Sequence, residues 1–582
     1  MNASLRAKYS LAIQIYAVVA GLCFFISALV YLYFGHWTVT HHDFWRIYEE
    51  CLRRPWFEAA LLKYNGHSHF FPSQLWLADL RFFHANMEVL FYIGLALLIF
   101  ITATLLAVIW QDNALNAVTK TASSLAVVVA NFWMGRAVTL VSGGFTCEYS
   151  LTFGGVIGAL CGLWHLRDGH RAKARGWLVL TIFAATVSCF SFGTGLAVWP
   201  VLLVLGFRLH VDRRTYAAVA AVAILAYAVF ALLPSRYEPH TPSLESSLWS
   251  SVTHAFGFFP ELIGSPIIYI AGGWTGQDVP DDRFCFVSGI AGVVLVSLLL
   301  YGQYASRDAA PRNTEFIGLG LTLFGLFALG LVAIGRSDTM HAFPVETNAP
   351  RYLFWSTLLW LGVVLILLDR AQTHSMLRRV IWPVVFALPV LVFPSHFRHA
   401  LHWRFARCLS EEAASALVNG VRDDVAVQAL FRRPEVVYRL SETFRARRLD
   451  MFASGSIDWF GRHSTDVLTT SRKLRRCRAY GRIRETLTRD DGQTGAKLVG
   501  TMNKDGAHRF VVVDDNDVIR GLGVACALSR TIDQIFYANT FETNLLRGYI
   551  RDYAPTSHYR LRCVVRGAVS PAAVDVIMPS GE

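Results

Sequence analysis

The chain has 582 residues, of which 54% are hydrophobic and only 16% are charged. Soluble domains carry about 25% charged residues, so this composition excludes an ordinary water-soluble protein and indicates a membrane protein. The net charge of +12 does not indicate nucleic-acid binding. Its densest basic run, at 472–478, lacks interleaved aromatic residues and is better explained as a solvated or phospholipid-facing patch.

Apolar segments recur along the first two thirds of the chain and predict about eleven membrane-spanning helices. They cover residues 10–33, 88–111, 119–141, 150–166, 177–191, 195–207, 215–233, 285–304, 315–335, 353–369 and 380–394. The pair that meets near 191–195 is either two tightly joined spans or one broken helix. The segment 253–274 is interrupted by Gly and Pro, so we expect it to be re-entrant or interfacial. If it crosses the membrane, the orientation of everything after it inverts.

The distribution of Arg and Lys predicts the orientation of these spans. Basic residues occur in the N-terminal tail and in alternate connections, at 167–175, 208–214, 307–312 and 370–379. We expect these connections to be cytoplasmic. The loop after the first span, the segments 234–284 and 336–352, and the whole C-terminal region then lie on the extracytoplasmic side.

The polar loop after the first span contains the candidate catalytic carboxylates. Asp43 comes within about ten residues of the end of the span, where a base would meet a substrate held in the membrane. Its alternative role is a solvated loop acid or a helix cap. Asp79 competes with it for the role of the base, and is equally well explained as a structural partner of Arg81. Glu49 and its acidic neighbours follow a helical spacing and predict a solvated face.

The C-terminal region is charged and mixed, which predicts a water-soluble part of the protein. We divide the chain into a transmembrane catalytic domain at 1–395, a helical connector at 396–470 and a β-sandwich-like domain at 471–582. Short β-rich segments such as 509–514 and 559–566 predict the antiparallel strands of this small sandwich. Among the 10 cysteines, Cys477 and Cys563 flank the β region and could form a disulfide across it.

Nucleotide-binding signatures are missing from the sequence. It contains no Walker loop, no GxGxxG after a strand, no GxSxG and no HExxH. Any chemistry must therefore use a donor that is already in the membrane or outside the cell.

The layout resembles the GT-C class of integral-membrane glycosyltransferases, which use polyprenyl-phosphate sugars. The resemblance covers an acid after span one, about eleven spans and a soluble extracytoplasmic C-terminal region. Sequence fragments similar to a bacterial branch of the class are Asn65-Gly66-His67, Phe71-Pro72, Asp79, Gly193-Thr194-Gly195-Leu196, Trp199-Pro200, Gly335-Arg336 and Arg351-Tyr352. The resemblance implies a protein of the bacterial inner membrane. It would transfer a sugar with inversion from a polyprenyl-phosphate donor to a glycan, lipid or protein acceptor, with Asp43 as the general base.

Basic residues on the predicted external side are candidates for binding the lipid phosphate. Arg336 ends one span and Arg351 begins the next, and Tyr352 adds a hydroxyl beside them. Snorkelling at the membrane interface is their alternative role. Arg136 lies inside an apolar run, and Glu148 is its candidate partner in a structural ion pair or in the site. Further substrate-binding candidates are Lys63, His67 and His341.

Two other functions stay open on the sequence alone. A glycan polymerase or ligase of the O-antigen type would depend on arginines and a histidine in external loops. A secondary transporter would show a repeated hydropathy pattern, which the chain lacks. No metal site is evident, because the first loop has no pair of adjacent acids containing Asp and the histidines have no ligand spacing. The cofactor is therefore unassigned, with a divalent cation as an open alternative.

Overall fold

Helices dominate the computed structural model, which describes residues 3–167, 171–236, 248–276, 282–305, 311–470, 479–502, 509–526, 545–565, 568–569 and 574–577. Within these residues, nine helices are long and apolar enough to cross a membrane. They are Lys8–Gly35, Glu88–Gln111, Gly143–Arg167, Arg213–Leu232, Val252–Thr275, Arg283–Gln303, Asn313–Gly335, Leu353–Ala371 and Ser375–Asn419. This architecture is compatible with a polytopic membrane protein, as the sequence predicted.

The α-helices follow the chain in an order that we number α1 to α20. They are α1 Ala3–Gly35, α2 Phe44–Arg53, α3 Trp56–Leu61, α4 Phe70–Phe82, α5 Glu88–Gln111, α6 Ala117–Phe132, α7 Val138–Val141, α8 Gly143–Arg167, α9 Arg171–Cys189, α10 Val198–Arg208, α11 Arg213–Leu232, α12 Leu248–Thr275, α13 Asp282–Ala305, α14 Asn313–Gly335, α15 Ser337–Ala342, α16 Leu353–Ala371, α17 Ser375–Asn419, α18 Asp424–Val427, α19 Pro434–Arg447 and α20 Ser464–Val467. Short 3₁₀ helices occur at Met134–Arg136, Gly193–Ala197, Pro344–Asn348, Asp450–Phe452 and Ser456–Trp459.

The predicted pair of spans near 191–195 is two helices with a tight connection. Two shorter apolar helices, Ala174–Cys189 and Gly193–Arg208, occupy these positions. The connection is close because Gly195 lies against the preceding helix, where a Cβ would clash with the carbonyl oxygen of Ser188. Glycine is the residue that permits such a backbone approach.

The expected span at 119–141 is not one continuous helix. Helix α6 ends at Phe132, and Trp133 adopts an extended conformation before a 3₁₀ turn and the short α7. The imidazole Nδ1 of His396 lies 3.2 Å from the backbone nitrogen of Met134, so a side chain from α17 satisfies a backbone group that the break releases.

Two more predicted segments differ from the helices observed. The segment 253–274 lies in the continuous helix α12, which tolerates Pro260 and Pro266 in its interior and is long enough to span. The last predicted span, at 380–394, belongs to the 45-residue helix α17, which continues to Asn419. The expected boundary at residue 395 therefore lies inside a helix.

The C-terminal strands form one barrel-like sheet instead of the expected sandwich. Its strands are β1 Thr469–Thr470, β2 Ala479–Thr488, β3 Thr494–Met502, β4 Arg509–Val513, β5 Ile519–Cys526, β6 Leu545–Ile550, β7 Arg560–Val565, β8 Ala568–Val569 and β9 Val574–Ile577. Their order is β1-β8-β7-β4-β5-β6-β3-β2-β9.

Closure of this sheet depends on the short strand β9. It pairs in parallel with β2 and antiparallel with β7, so it closes the strands from β7 to β2 into a ring, and β8 and β1 continue the sheet from β7. The interior is filled by buried side chains that include Leu498, Phe510 and Leu561.

The described residues divide into two compact units. The first contains Met1–His36, Arg54–Trp76 and Val89–Trp403, and the second contains Trp37–Arg53, Leu77–Glu88 and Arg404–Glu582. The two ends of the predicted loop after the first span, residues 37–53 and 77–88, thus belong to the same unit as the C-terminal region.

Candidate functional site

Asp43 stands at the start of α2 in the second unit. Its carbonyl oxygen accepts a hydrogen bond from the N–H of Ile47 at 2.9 Å, which places Asp43 at the N-cap position of the helix. The preceding His42 has a φ of 51°, and its N–H donates to the carbonyl of Leu430 at 2.6 Å. The turn that presents Asp43 is therefore held by the C-terminal part of the same unit.

Asp79 lies near the end of α4 and is completely buried. The hydroxyl of Tyr48 donates to its Oδ2 at 2.8 Å, whereas its Oδ1 has no hydrogen-bond partner among the described residues. Burial raises the pKa of this carboxyl to about 6, against the opposing effect of the Tyr48 hydrogen bond. Tyr48 is thus the hydrogen-bonding partner that the structure gives Asp79.

Asp450 is a second buried carboxylate, which the sequence analysis missed. The N–H of Thr40 donates to its Oδ2 at 2.8 Å, and its own N–H donates to the carbonyl of His84 at 2.6 Å. Its pKa rises to about 7, because of burial first and the nearby negative charge of Asp79 in addition. No local pattern reveals this residue, because its partners lie hundreds of positions away along the chain.

Backbone strain surrounds the two buried carboxylates. His84, Ala85 and Met87 all have φ values between 57° and 60°, and Asp450 has a φ of 52°. Such left-handed conformations are unfavourable for residues other than glycine, and they concentrate at functional sites. Asp79, Asp450 and Tyr48 form a buried acidic group in the second unit, which we call the carboxyl pair with its tyrosine.

In the first unit, His67 and Arg336 are in direct contact. Nη2 of Arg336 lies 3.1 Å from Nε2 of His67. Burial lowers the pKa of His67 well below its ordinary value, with a further effect from the positive charge of Arg336. His67 is therefore neutral and its Nε2 accepts from the guanidinium. Gly193 makes room for the imidazole, because a Cβ there would overlap Nδ1.

Aromatic rings connect this contact to Arg351. The Phe192 ring lies 4.4 Å from that of His67 and 5.2 Å from that of Tyr149, measured between centroids. The Tyr149 hydroxyl donates to the carbonyl of Arg351 at 3.2 Å. These four residues and Arg336 form what we call the Phe192 cluster, which contains the guanidinium of Arg336 and the backbone carbonyl of Arg351. Phe192 and Tyr149 were not among the sequence-predicted site residues, although the flanking glycines at 193 and 195 mark the turn.

Arg351 also contacts residues of its own connection. Its guanidinium pairs with Glu346, and it lies 5.0 Å from the centroid of the Tyr352 ring. Tyr352 is buried, so its contribution is a packed ring beside the guanidinium.

Arg136 and Glu148 contact other residues than the sequence suggested. Arg136 is fully buried, donates to the carbonyl of Asn131 and lies 4.5 Å from the ring centroid of Phe354. A carboxylate oxygen of Glu148 lies 3.4 Å from Nδ1 of His69. Burial lowers the pKa of His69 to about 3, so this contact joins a carboxylate to a neutral imidazole and is not a salt bridge.

Lys63 and His341 have local partners. The Lys63 ammonium donates to the carbonyls of Phe230 and Ala231 at 3.2 and 3.4 Å, at the end of α11. A positive charge near the last carbonyls of a helix is stabilised by the helix dipole. His341 stacks on His254 with ring centroids 4.6 Å apart and planes within 4°.

The described residues contain no group of three or more His, Cys, Asp or Glu side chains that could hold a metal ion. The cysteines give a clearer result, because Cys408 and Cys563 are both disulfide-bonded. The predicted partner Cys477 lies outside the described residues.

Comparison with known proteins adds no relative: no family model, no curated protein and no solved structure matches this chain.

Proposed function

We propose that this protein is a glycosyltransferase of the bacterial inner membrane. It would move a sugar from a polyprenyl-phosphate donor to an extracytoplasmic glycan, lipid or protein. The observation that supports this most directly is the Phe192 cluster, in which Arg336 contacts the neutral His67 and Arg351 is linked through Tyr149. Guanidinium groups bind phosphate with two donors at once, so this cluster suits a lipid-phosphate headgroup.

The chemistry assigns the cations and the base separate tasks. An acceptor hydroxyl oxygen attacks the anomeric carbon, the bond from that carbon to the phosphate oxygen breaks, and polyprenyl phosphate leaves. Arg336 and Arg351 stabilise the negative charge that grows on the leaving phosphate. Asp43 takes the proton of the attacking hydroxyl, with the buried Asp79 as the alternative base.

Disulfide-bonded Cys408 and Cys563 support the extracytoplasmic placement of the second unit. Disulfides persist in the periplasm and are rare in the cytosol. The alternation of basic connections predicts the same side for the Phe192 cluster, since Arg336 and Arg351 flank the segment 336–352.

Contacts of α12 favour the interfacial arrangement that this orientation needs. His254 stacks on His341, and the Tyr269 hydroxyl donates to the carbonyl of Asn348. These two points are roughly 22 Å apart along a helix that rises 1.5 Å per residue, yet both touch the connection between α14 and α16. We propose an interfacial α12 on these contacts, and its length would equally allow it to cross the membrane.

A transfer assay tests the proposal. Purified protein in lipid is supplied with polyprenyl-phosphate sugars and scored for release of polyprenyl phosphate. Asp43→Asn should lower the rate by about 10²–10⁴-fold, as for loss of a general base, and Arg336→Gln by roughly 10²–10³-fold. Glu58→Gln, a change at an exposed acid of the same loop, should leave the rate unchanged. Folded protein with no turnover on any donor would reject the proposal.

The contact between His67 and Arg336 also favours the glycan polymerase or ligase of the sequence analysis. Such an enzyme depends on an arginine and a histidine and uses lipid-linked oligosaccharides. It would lose activity in His67→Gln while keeping it in Asp43→Asn. His67 also belongs to the site of the proposed glycosyltransferase, so Asp43→Asn is the variant that separates the two functions.

A further inference from the structure

A cavity of about 170 Å³ lies inside the second unit. Its walls come from the C-terminal part of α17, the segment after α19, and strands β4 and β5. The side chains that matter chemically are Glu411, Ser415, Asp450, Ser456, Trp459 and Arg509. Pockets for drug-sized ligands begin near about 300 Å³, so this cavity has room for one small ring.

Asp450 gives this cavity an unsatisfied polar group. Only 6% of its surface is exposed, and its Oδ1 has no hydrogen-bond partner among the residues that the structure describes. A buried carboxyl oxygen without a partner is costly, and a ligand that brings hydroxyl donors would remove that cost. Asp450 also lines the cavity, so its carboxyl, whose Oδ2 accepts from the Thr40 N–H, lies where a hydroxyl of a ligand could donate to the other oxygen.

The other lining residues narrow the chemistry of the ligand. Glu411 pairs with Arg407 at 2.8 Å, and Asp450 shares the wall with one guanidinium, that of Arg509, so the lining has no excess positive charge that would attract an anionic ligand. Trp459 offers an apolar face with an indole N–H, and Ser415 and Ser456 offer hydroxyls. A ring with several hydroxyl groups and apolar C–H faces matches this combination.

We propose that this cavity binds a single neutral sugar ring, with Asp450 accepting from its hydroxyls and Trp459 packing on its face. Arg509 and Ser456 supply further hydrogen bonds. The identity of this sugar as part of the acceptor rests on the proposed function, whereas the binding itself does not.

Calorimetry on the full-length protein in lipid nanodiscs tests the proposal. The probes are the methyl glycosides of glucose, galactose, mannose and arabinose, with methyl glucuronide as the anionic comparison. At least one neutral glycoside should bind, and Asp450→Asn and Trp459→Ala should each weaken it about tenfold or more. Asp458→Asn is the matched control, because this neighbouring acid is exposed and pairs with Arg448 at 3.1 Å. The Asp458→Asn variant should bind the neutral glycoside with the affinity of the wild type.

A fourth variant, Ser456→Ala, removes one lining hydroxyl and keeps the test decisive if Asp450→Asn or Trp459→Ala fails to fold. Failure of every neutral glycoside to bind, binding of the glucuronide alone, or equal affinity in the lining and control variants would overturn the proposal. Saccharide binding without sugar transfer would instead reject the proposed enzyme and leave the binding site in place.

Discussion

Asp79 and Asp450 make folding sensitive to pH, because their pKa values rise to about 6 and about 7 in the folded protein. A raised pKa means that the folded state binds the proton more tightly than the unfolded state does. The protonated carboxyl groups therefore stabilise the folded protein fully below about pH 4, and this stabilisation is lost as the pH rises through 6 and 7. Each pKa unit corresponds to about 1.4 kcal/mol.

We expect the unfolding temperature of the wild type to decrease as the pH is raised from 5 to 7.5. The change of unfolding temperature with pH should be smaller in Asp79→Asn. The amide cannot ionise, so it removes the cost of a buried charge at the upper end of this range. Differential scanning fluorimetry in detergent at several pH values measures both slopes. Asp458→Asn, at an exposed acid with its own arginine, should keep the wild-type slope. Parallel slopes for wild type and Asp79→Asn would contradict this assignment of the proton.

Residues of the candidate site differ in how far the sequence could identify them. Arg336 and His67 were recognisable, since an arginine at the end of an apolar run and a histidine after a polar turn are local signals. Asp450 had no such signal, because its burial depends on Thr40 and His84, which are distant in the chain. Glu148 was a candidate in the sequence, but its neighbour His69 comes from another element and was not predicted.

At the scale of elements, the turn between α9 and α10 fixes the position of His67. Replacing Gly193 by alanine would place a Cβ on the imidazole and move it from Arg336. We expect Gly193→Ala to lower both the unfolding temperature and the rate of sugar transfer. Gly330→Ala in α14 is the control, because a Cβ there meets nothing within 4 Å and alanine favours a helix by roughly 1 kcal/mol. Equal behaviour of the two variants would show that Gly193 does not position His67.

The orientation of α12 can be tested by labelling. Phe256 and Trp274 are exposed residues toward its two ends. If the helix lies along the extracytoplasmic face, Phe256→Cys and Trp274→Cys both react with a membrane-impermeant maleimide added to intact cells. Thr373→Cys, in the basic connection between α16 and α17, should react only after lysis. Labelling of one end alone would mean that α12 crosses the membrane.

Apolar composition predicted most helices and failed where tertiary contacts decide the local structure. The break after Phe132 occurs in an apolar run that also contains Asn131 and Arg136, and His396, from a helix far along the chain, accepts a backbone hydrogen bond there. Closure of the C-terminal sheet likewise depends on the pairing of the four-residue β9 with two strands. Neither arrangement has a signal in local periodicity.

At the scale of the whole molecule, the chain enters the second compact unit at Trp37 and again at Leu77, and returns to the first each time, before the C-terminal region begins. The ring of Trp45 stacks on Phe444 at 5.3 Å, and Glu49 pairs with Arg439 at 2.9 Å, although these partners are separated by most of the chain. The residues around Asp43 are therefore folded by the C-terminal region. A change in that region can alter the turn that presents Asp43 without touching the membrane helices.

The disulfide-bonded state of Cys408 and Cys563 makes a prediction about the whole molecule and its compartment. Loss of a native disulfide removes about 2–4 kcal/mol of stability, so Cys563→Ser should lower the unfolding temperature. Cys23→Ser, at an exposed free cysteine, should not. In protein alkylated in intact cells, Cys408 and Cys563 should take up a mass tag only after reduction. Tagging of both before reduction would place the second unit in a reducing compartment, and with it the proposed sugar transfer would have no extracytoplasmic acceptor to act on.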